Sequence, residues 1–356
     1  MNPSDTPALA PPLTPRARAA WRVVQTMVWV IGVAIFLALV FAPEIGIHAF
    51  WNVLIPVAPA LFAIALGVWR NVCPLGSTAL LARHVDHTAR RRLSTTAHGW
   101  LSLVGVVLLL LIVPLRHAVL DTNGPATALS IGVLAVVAVL LGLRFEWKSA
   151  WCSGLCPVHP VERLYGSAPL VSAPNAHCTR CEQCVAPCPD ATPGIHPLSA
   201  DDTMLHRVAG TLLVGGFAGF IWGWFHVPDY AGVEGWRHLP GIYGVPLGGT
   251  AVSLLLFVLL RRVVPAGSRD RLIRAFAAAA IACYYWYRLP ALFGFGVFPG
   301  DGMLVDLTTV LPVWFPTASR VATTALFAWW LVGRSRVRRA WCIRPPYAVP
   351  AVVGCG

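Results

Sequence analysis

Long apolar runs alternate with short polar segments along the chain, and this alternation predicts membrane-spanning helices. About 20 apolar residues of helix cross the hydrocarbon core of a bilayer, and eight runs reach or approach that length. The predicted spans are 23–42, 47–68, 99–115, 128–143, 208–225, 245–260, 272–293 and 318–332, the last of them short. The fold class predicted is therefore an all-α polytopic membrane protein with about eight transmembrane helices.

The composition points the same way. Of the 356 residues, 57% are hydrophobic and 12% are charged, whereas an average soluble domain is about 25% charged. The first apolar run is also longer than the 7–15-residue apolar core of a secretory signal peptide, so we interpret it as an uncleaved anchor. The chain is thus expected to be integral to a lipid bilayer.

The basic residues indicate an orientation for these spans. With the N-terminus inside, all but four of the 27 lysines and arginines fall in the two terminal segments or in every second loop; the exceptions are Arg116, Arg237, Arg288 and Arg320. Cytoplasmic loops are enriched in Lys and Arg. Both termini and the cysteine-bearing loops are therefore predicted on the cytoplasmic side of a bacterial inner membrane, and the net charge of +12 needs no nucleic-acid partner.

The same pattern divides the chain into segments. We predict a disordered tail at 1–16, a four-helix transmembrane region at 17–143 with a cytoplasmic loop at 69–98, a cytoplasmic segment at 144–207, a second four-helix region at 208–333 and a basic cytoplasmic tail at 334–356.

Four cysteines in the segment 144–207 form a C-x2-C-x2-C-x3-C-P run. These run cysteines are Cys178, Cys181, Cys184 and Cys188, and Pro189 follows the last. Bacterial ferredoxins hold [4Fe–4S] clusters with this run, whose fourth cysteine ligates the neighbouring cluster. Zinc sites more often use two C-x2-C pairs separated by about 12–20 residues. The run therefore predicts iron–sulfur ligation in a small ferredoxin-like insert.

Three further cysteines follow the first two predicted helical hairpins. The first hairpin ends in Cys73-Pro74, and the second ends in Cys152-x3-Cys156-Pro157. We call Cys73, Cys152 and Cys156 the hairpin cysteines. The two sites form a weak internal repeat, in which Trp69 stands where the leading cysteine of the first would be.

Together these motifs resemble the NapH/NosR-type membrane-bound 4Fe-4S ferredoxin family, over roughly residues 47–190. They are also similar to membrane iron–sulfur proteins associated with cytochrome oxidase maturation. The resemblance implies cluster ligation by the hairpin and run cysteines, and electron transfer between the quinol pool or cytoplasmic donors and a membrane or periplasmic redox partner. The chain departs from the family at Trp69, in having one ferredoxin run where relatives often carry two, and in lacking a visible flavin-binding domain.

The number of clusters depends on the fourth ligands, because seven cysteines are one short of two complete sites. The partition favoured by the repeated Cys-Pro joins Cys156 to the first three run cysteines, and Cys73, Cys152 and Cys188 then lack a ligand. The other joins Cys188 to the hairpin cysteines and leaves the first three run cysteines short. One or two clusters are therefore expected. Cys342 and Cys355 can supply a ligand, although the simpler interpretation makes them free tail thiols.

Seven histidines lie beside the cysteines or at the ends of the predicted spans. His159 and His177 flank the cysteines and can tune a cluster through hydrogen bonds or replace a ligand. The histidines at the ends of the predicted spans are interpreted as interfacial anchors; they are His48, His98, His117, His206 and His226.

One charge, Arg288, lies inside an apolar run. It follows the aromatic stretch 284–287, which favours an aromatic belt beside which the arginine reaches water. An intramembrane charge can also mark a functional site, here a quinone or partner site at the outer face.

The expected function is membrane-bound electron transfer with a redox partner protein or the quinone pool. The alternatives are an accessory reductase in metalloenzyme maturation and a non-redox metal-binding scaffold. The sequence shows no Ser/His/Asp set, phosphate-binding glycine loop or paired carboxylates. An electron carrier or oxidoreductase subunit is thus favoured over a stand-alone enzyme.

Overall fold

The structure, a computed structural model, describes most of the chain. The described residues are 12–81, 91–146, 148–179, 181, 183–185, 187–199, 203–230, 232–334 and 339–346. Most of the tail predicted at 1–16 lies outside them, and so does Cys355.

The described chain is almost entirely helical. The α-helices are α1 (Pro15–Phe41), α2 (Pro43–Ile47), α3 (Ile55–Val72), α4 (Pro74–Leu81), α5 (Thr95–Ile112), α6 (Gly124–Arg144), α7 (His159–Tyr165), α8 (Met204–Trp224), α9 (Glu234–Arg237), α10 (Leu239–Val263), α11 (Arg269–Leu292) and α12 (Phe315–Ala328). Short π-helical segments are found at His48–Leu54, Arg116–Leu120, Trp151–Leu155 and Trp329–Gly333, and a 3-10 turn at Ala266–Ser268.

Among the described residues, six helical stretches are long and apolar enough to cross a membrane, which confirms a multi-pass architecture in outline. They are Pro15–Phe41, Pro43–Leu81, Thr95–Ile112, Gly124–Arg144, Met204–Trp224 and Leu239–Val263. The seventh and eighth predicted spans coincide with α11 and with α12 and its π-helical continuation. These two helices pack against each other, and α11 also packs against α8.

Large apolar side chains cover the outward faces of α1, α6 and α10. On α6, for example, Leu129, Val133, Val136 and Leu140 are all more than half exposed. Contiguous apolar surface of this kind is rare on soluble monomers. A lipid bilayer is the natural solvent for these faces.

Polar caps fix where several long helices begin. The side chains of Thr14, Ser94, Asn123 and Thr203 each accept a hydrogen bond from a backbone N–H in the first turn of the helix that follows. Such caps satisfy donors that have no partner within the helix. These starts agree with the predicted spans to within a few residues, except at α1, which begins eight residues earlier than its apolar run.

A close helix contact joins α8 to α10 through two glycines. A Cβ placed on Gly219 would lie 2.0 Å from the carbonyl oxygen of Gly249, and one on Gly249 would lie 2.2 Å from the carbonyl oxygen of Gly219. Small residues allow this approach of backbones between membrane helices.

No ferredoxin-like subdomain is identified in the described part of the predicted insert, so that expectation is not confirmed. The described residues between 148 and 199 form turns around one π-helical segment and α7, and the one strand among them, β1 (Ala173–Pro174), has two residues. Prolines interrupt the segment throughout, and a proline cannot donate to a strand ladder. Strand β1 instead pairs in parallel with β2 (Cys342–Ile343) in the C-terminal tail.

The belt interpretation of Arg288 is wrong. Its side chain is 3% exposed, and Nη2 donates to the carbonyl oxygen of Trp51 at 2.6 Å and to Oδ1 of Asn52 at 2.8 Å. Tyr284 and Tyr285 are buried as well. Arg288 therefore ties α11 to the π-helical segment at the opposite end of the bundle from the cysteines.

The glycine contact gives a test of the packing. Gly219→Ala forces the backbones of α8 and α10 apart, and overpacking of this kind costs about 1–3 kcal/mol, so we expect a lower melting temperature for the detergent-purified protein. Gly248→Ala is the matched control, because no atom lies within 4 Å of its added Cβ. Equal melting temperatures for the two variants would contradict the contact.

Candidate functional site

The two Cys-Pro steps have the same backbone geometry. Cys73 caps the C-terminus of α3 with φ −52° and ψ 120°. Cys156 caps the C-terminus of the π-helical segment Trp151–Leu155 with φ −54° and ψ 119°. In both, the following proline pushes the cysteine out of the helical region. The two Cys-Pro sequences of the internal repeat therefore share one backbone conformation, and in each the chain leaves the helix at the cysteine.

The hairpin cysteines lie together. A Cβ placed on Gly76 would be 3.8 Å from both the Cys73 and the Cys152 sulfur. Burial raises the pKa of the Cys156 thiol, and the neighbouring Glu162, Cys73 and Cys152 raise it further. One end of the bundle, which we call the cysteine end, thus collects thiols from both hairpins.

The run cysteines form a second group at the same end. Burial raises the pKa of Cys178 to about 12, with Cys188 and Cys181 contributing in the same direction, and Cys188 and Cys178 act likewise on Cys184. The loop curls sharply between Cys181 and Cys184, where Gln183 has a φ of +48°.

A buried ion network lies between the two groups. Asp190 accepts from Arg70 Nε at 2.9 Å, from Lys148 Nζ at 2.8 Å and from Asn175 Nδ2 at 3.2 Å. Arg70 Nη1 also donates to Glu162 Oε2 at 3.0 Å and to the carbonyl oxygen of Cys152 at 2.9 Å. The side chains of the four charged residues are all 6% exposed or less.

The network is electrically balanced. Burial opposes ionisation of both carboxyls, but Arg70 holds the pKa of Glu162 and that of Asp190 below their ordinary values. Burial also opposes the charge of Lys148, yet Asp190 raises the pKa of that ammonium. Burial lowers the pKa of His159 to about 4 even though Glu162 counteracts it, so the imidazole is neutral near pH 7. Two cations thus face two anions.

Trp69 has a role that the sequence did not predict. Its indole Nε1 donates to Glu162 Oε1 at 2.8 Å, and His159 Nδ1 lies 3.2 Å from Glu162 Oε2. The residue in the position of the missing cysteine thus orients a carboxylate of the network. Neither this contact nor the ion network has a motif by which the sequence alone would reveal it.

The C-terminal tail also enters the site, where Cys342 is a free thiol that is buried rather than exposed in the tail. Cys342 is fully buried, its N–H donates to the carbonyl oxygen of Asp190 at 2.6 Å, and the charges of Asp190, Lys148, Arg70 and Cys178 all act on its thiol. Cys355 lies outside the described residues.

Two observations bear on whether these residues can hold an iron–sulfur cluster. Among the residues that the structure describes, no three His, Cys, Asp or Glu side chains are grouped to hold a single metal ion. A cubane, however, binds each thiolate to a different iron, so its ligands are spaced more widely. Arg70 Nη2 and Arg344 Nε are buried donors with no hydrogen-bond acceptor in the described chain.

Those two donors lie beside the two thiol groups. Arg70 Nη1 donates to the carbonyl oxygen of Cys152, and Arg344 Nη1 lies 3.4 Å from the Cys181 sulfur. Sulfur atoms of a cluster would accept such N–H groups. The donor set therefore fits iron–sulfur ligation, with one unpaired arginine donor for each group.

A cavity of about 200 Å³ opens beside Cys184. Its walls come from the start of α5, the start of α8 and the segment around α7, and they carry Thr95, His98, His159 and His206. His98 Nδ1 and His206 Nε2 are 2.9 Å apart, so these two imidazoles are in direct contact within the cavity wall. The cavity gives small molecules access to the neighbourhood of Cys184.

At the opposite end, His117 is buried against Asp229 rather than anchored at a polar surface. Arg116 donates to Asp121 and Asp229 there. These residues connect loops of the opposite end and are separate from the cysteines.

Comparisons with protein-family models, curated proteins and solved structures gave no match for this chain. The resemblance to the NapH/NosR-type proteins therefore rests on the cysteine motifs alone.

The ion network predicts a strong asymmetry between two carboxylate variants. Asp190→Asn leaves two cations facing one anion in the interior, and breaking a buried pair costs about 3–5 kcal/mol, so we expect a large drop in melting temperature. Glu146→Gln is the control, because its partner Arg92 is 78% exposed and such pairs are worth at most about 1 kcal/mol.

A double variant tests whether the unbalanced charge causes the loss of stability. Adding Lys148→Met to Asp190→Asn removes the surplus positive charge, and part of the lost stability should return. If Asp190→Asn behaved like Glu146→Gln, the network would not hold the cysteine end together.

Proposed function

We propose that this protein is a membrane-bound iron–sulfur electron-transfer protein carrying one or two [4Fe–4S] clusters. The observation that carries the proposal is the convergence of seven motif cysteines, from two hairpins and one loop, on the same end of the bundle. The hairpin and run cysteines would hold the clusters. A bound cluster supplies one-electron transfer at a potential set by burial, charge and hydrogen bonds to sulfur.

The remaining residues of the site have defined tasks in this proposal. Arg70 and Lys148 place positive charge beside thiolates, and Asp190 and Glu162 keep those cations ionised and fixed in position. Arg344 offers its guanidinium to Cys181. Cations and N–H donors near a cluster favour its reduced form, because reduction adds a negative charge.

The proposed topology has eight spans, with the cysteine end in the cytoplasm of a bacterial cell. The helix order supports it, since α3, α6, α10 and α12 all end toward the cysteine end and Arg144, Arg261, Arg262 and Arg334 lie at those ends. Basic residues on one side favour a cytoplasmic location, where thiols stay reduced.

Metal analysis tests the function directly. Anaerobically purified protein should be brown and contain equal amounts of iron and acid-labile sulfide, about four per chain for each cluster, with an EPR signal after reduction. Cys178→Ala should lose at least one cluster. Cys283→Ala, in the apolar core and apart from both thiol groups, should retain all the iron. A colourless protein that contains zinc would support the metal-binding scaffold and overturn the proposal.

The cavity beside Cys184 is the proposed site of electron exchange with a quinone ring from the bilayer. It lies where α5 and α8 begin, so a ring entering from the membrane boundary would reach the neighbourhood of Cys184. The histidines in its walls can exchange protons, which quinol oxidation releases together with electrons.

A pair of neighbouring threonines tests this route. Thr95 lines the cavity, and Thr96 is the next exposed residue of α5 but does not. Thr95→Trp should slow reduction of the protein by a short-chain quinol by about tenfold or more, the equivalent of about 1.4 kcal/mol, while iron per chain is unchanged. Thr96→Trp should leave the rate unaltered. Equal rates in stopped-flow experiments would place electron exchange elsewhere, as expected for a protein partner.

A further inference from the structure

The C-terminal tail is fastened along the run of cysteines by backbone and side-chain contacts. Ala173 N–H donates to the carbonyl oxygen of Trp341 at 3.1 Å, and Asn175 N–H donates to that of Ile343 at 3.0 Å. Trp341 is fully buried, and its Nε1 donates to the carbonyl oxygen of Gly166 at 2.7 Å. The position of Cys342 is thus fixed on both sides by its neighbours.

Two residues later, the tail reaches the run itself. Cys181 N–H donates to the carbonyl oxygen of Pro346 at 3.4 Å, and Arg344 Nη1 lies 3.4 Å from the Cys181 sulfur. The backbone N–H of Cys342 itself donates to the carbonyl oxygen of Asp190, two residues after Cys188. The tail therefore contacts the run at Cys181 and again just after Cys188.

The hairpin cysteines need a fourth ligand of their own. In a C-x2-C-x2-C-x3-C-P run, the fourth cysteine ligates the neighbouring cluster, and here that cysteine is Cys188. The Cys73 and Cys152 sulfurs both lie beside Gly76, and Cys156 follows Cys152 by four residues, which favours the partition that joins Cys188 to the hairpin cysteines. The first three run cysteines are then one ligand short.

We propose that Cys342 is the missing ligand, so that Cys178, Cys181, Cys184 and Cys342 hold one [4Fe–4S] cluster and Cys73, Cys152, Cys156 and Cys188 hold a second. This inference rests on the proposed function. On ligation, the S–H bond of Cys342 breaks, a sulfur–iron bond forms and the proton leaves to solvent, without a change in oxidation state. The C-terminal tail then completes the cofactor site.

The competing arrangement is a buried core thiol. The Cys342 sulfur lies 3.7 Å from the carbonyl oxygen of Gly67, an S–H contact that a ligating thiolate gives up. A core thiol would tolerate replacement by alanine or serine without any effect on iron. The two arrangements therefore differ in a measurable quantity.

The test compares Cys342→Ala and Cys342→Ser with the full-length protein, all purified anaerobically. Iron and acid-labile sulfide should fall from about eight to about four per chain, or the oxidised variants should show the EPR signal of a three-iron cluster. Size-exclusion profiles confirm folding, and Cys342→Ser serves if the alanine variant does not fold. An added small thiol should restore the four-iron signal in Cys342→Ala by occupying the vacated position.

Cys283→Ser is the matched control, since it also removes one thiol and should retain full iron. Iron content and EPR spectra unchanged in folded Cys342 variants would overturn the ligand assignment and leave the proposed function standing. Absence of iron and sulfide from the unaltered protein would instead defeat the proposed function itself.

Discussion

Arg70, Lys148, Asp190 and Glu162 form a buried, electrically balanced network, and the arrangement of the cysteine end depends on it. A buried ion is expensive to desolvate unless partners neutralise and hydrogen-bond it. Each of the four supplies an opposite charge to at least one of the others. Arg70 comes from α3, Lys148 from the turn after α6, Glu162 from α7 and Asp190 from the loop after the run cysteines. Removing one charge therefore affects segments that are far apart in sequence.

This constraint links the folding of the molecule to its proposed chemistry. Asp190 follows Cys188 by two residues, Arg70 precedes Cys73 by three, and Lys148 precedes Cys152 by four. Pairing these charges brings the attached cysteines to one place. The same cations then lie beside these thiols, where in the proposed function positive charge and N–H donors would affect the potential of a cluster. The network thus positions the cysteines and also sets their electrostatic surroundings.

Hydropathy was sufficient to predict the long helices, because a membrane span is a local property of about 20 residues. The backbone conformation at the Cys-Pro repeat could also be predicted, since proline disfavours the helical conformation of the residue that precedes it. The contacts of Arg70 with Asp190 and of Arg288 with Trp51 join residues 120 and 237 positions apart, and no local pattern encodes such pairs. The contacts of Trp69 and Cys342 were not predicted for the same reason, because they depend on Glu162 and on a strand pair formed by distant segments.

Crystals of anaerobically purified protein would allow the account to be tested by anomalous diffraction at the iron absorption edge. The account predicts iron peaks at the cysteine end on both sides of the Arg70–Asp190 pair, one group beside Cys152 and Cys156 and the other beside Cys178 and Cys181. Absence of iron from this end, or a signal from zinc alone, would contradict it.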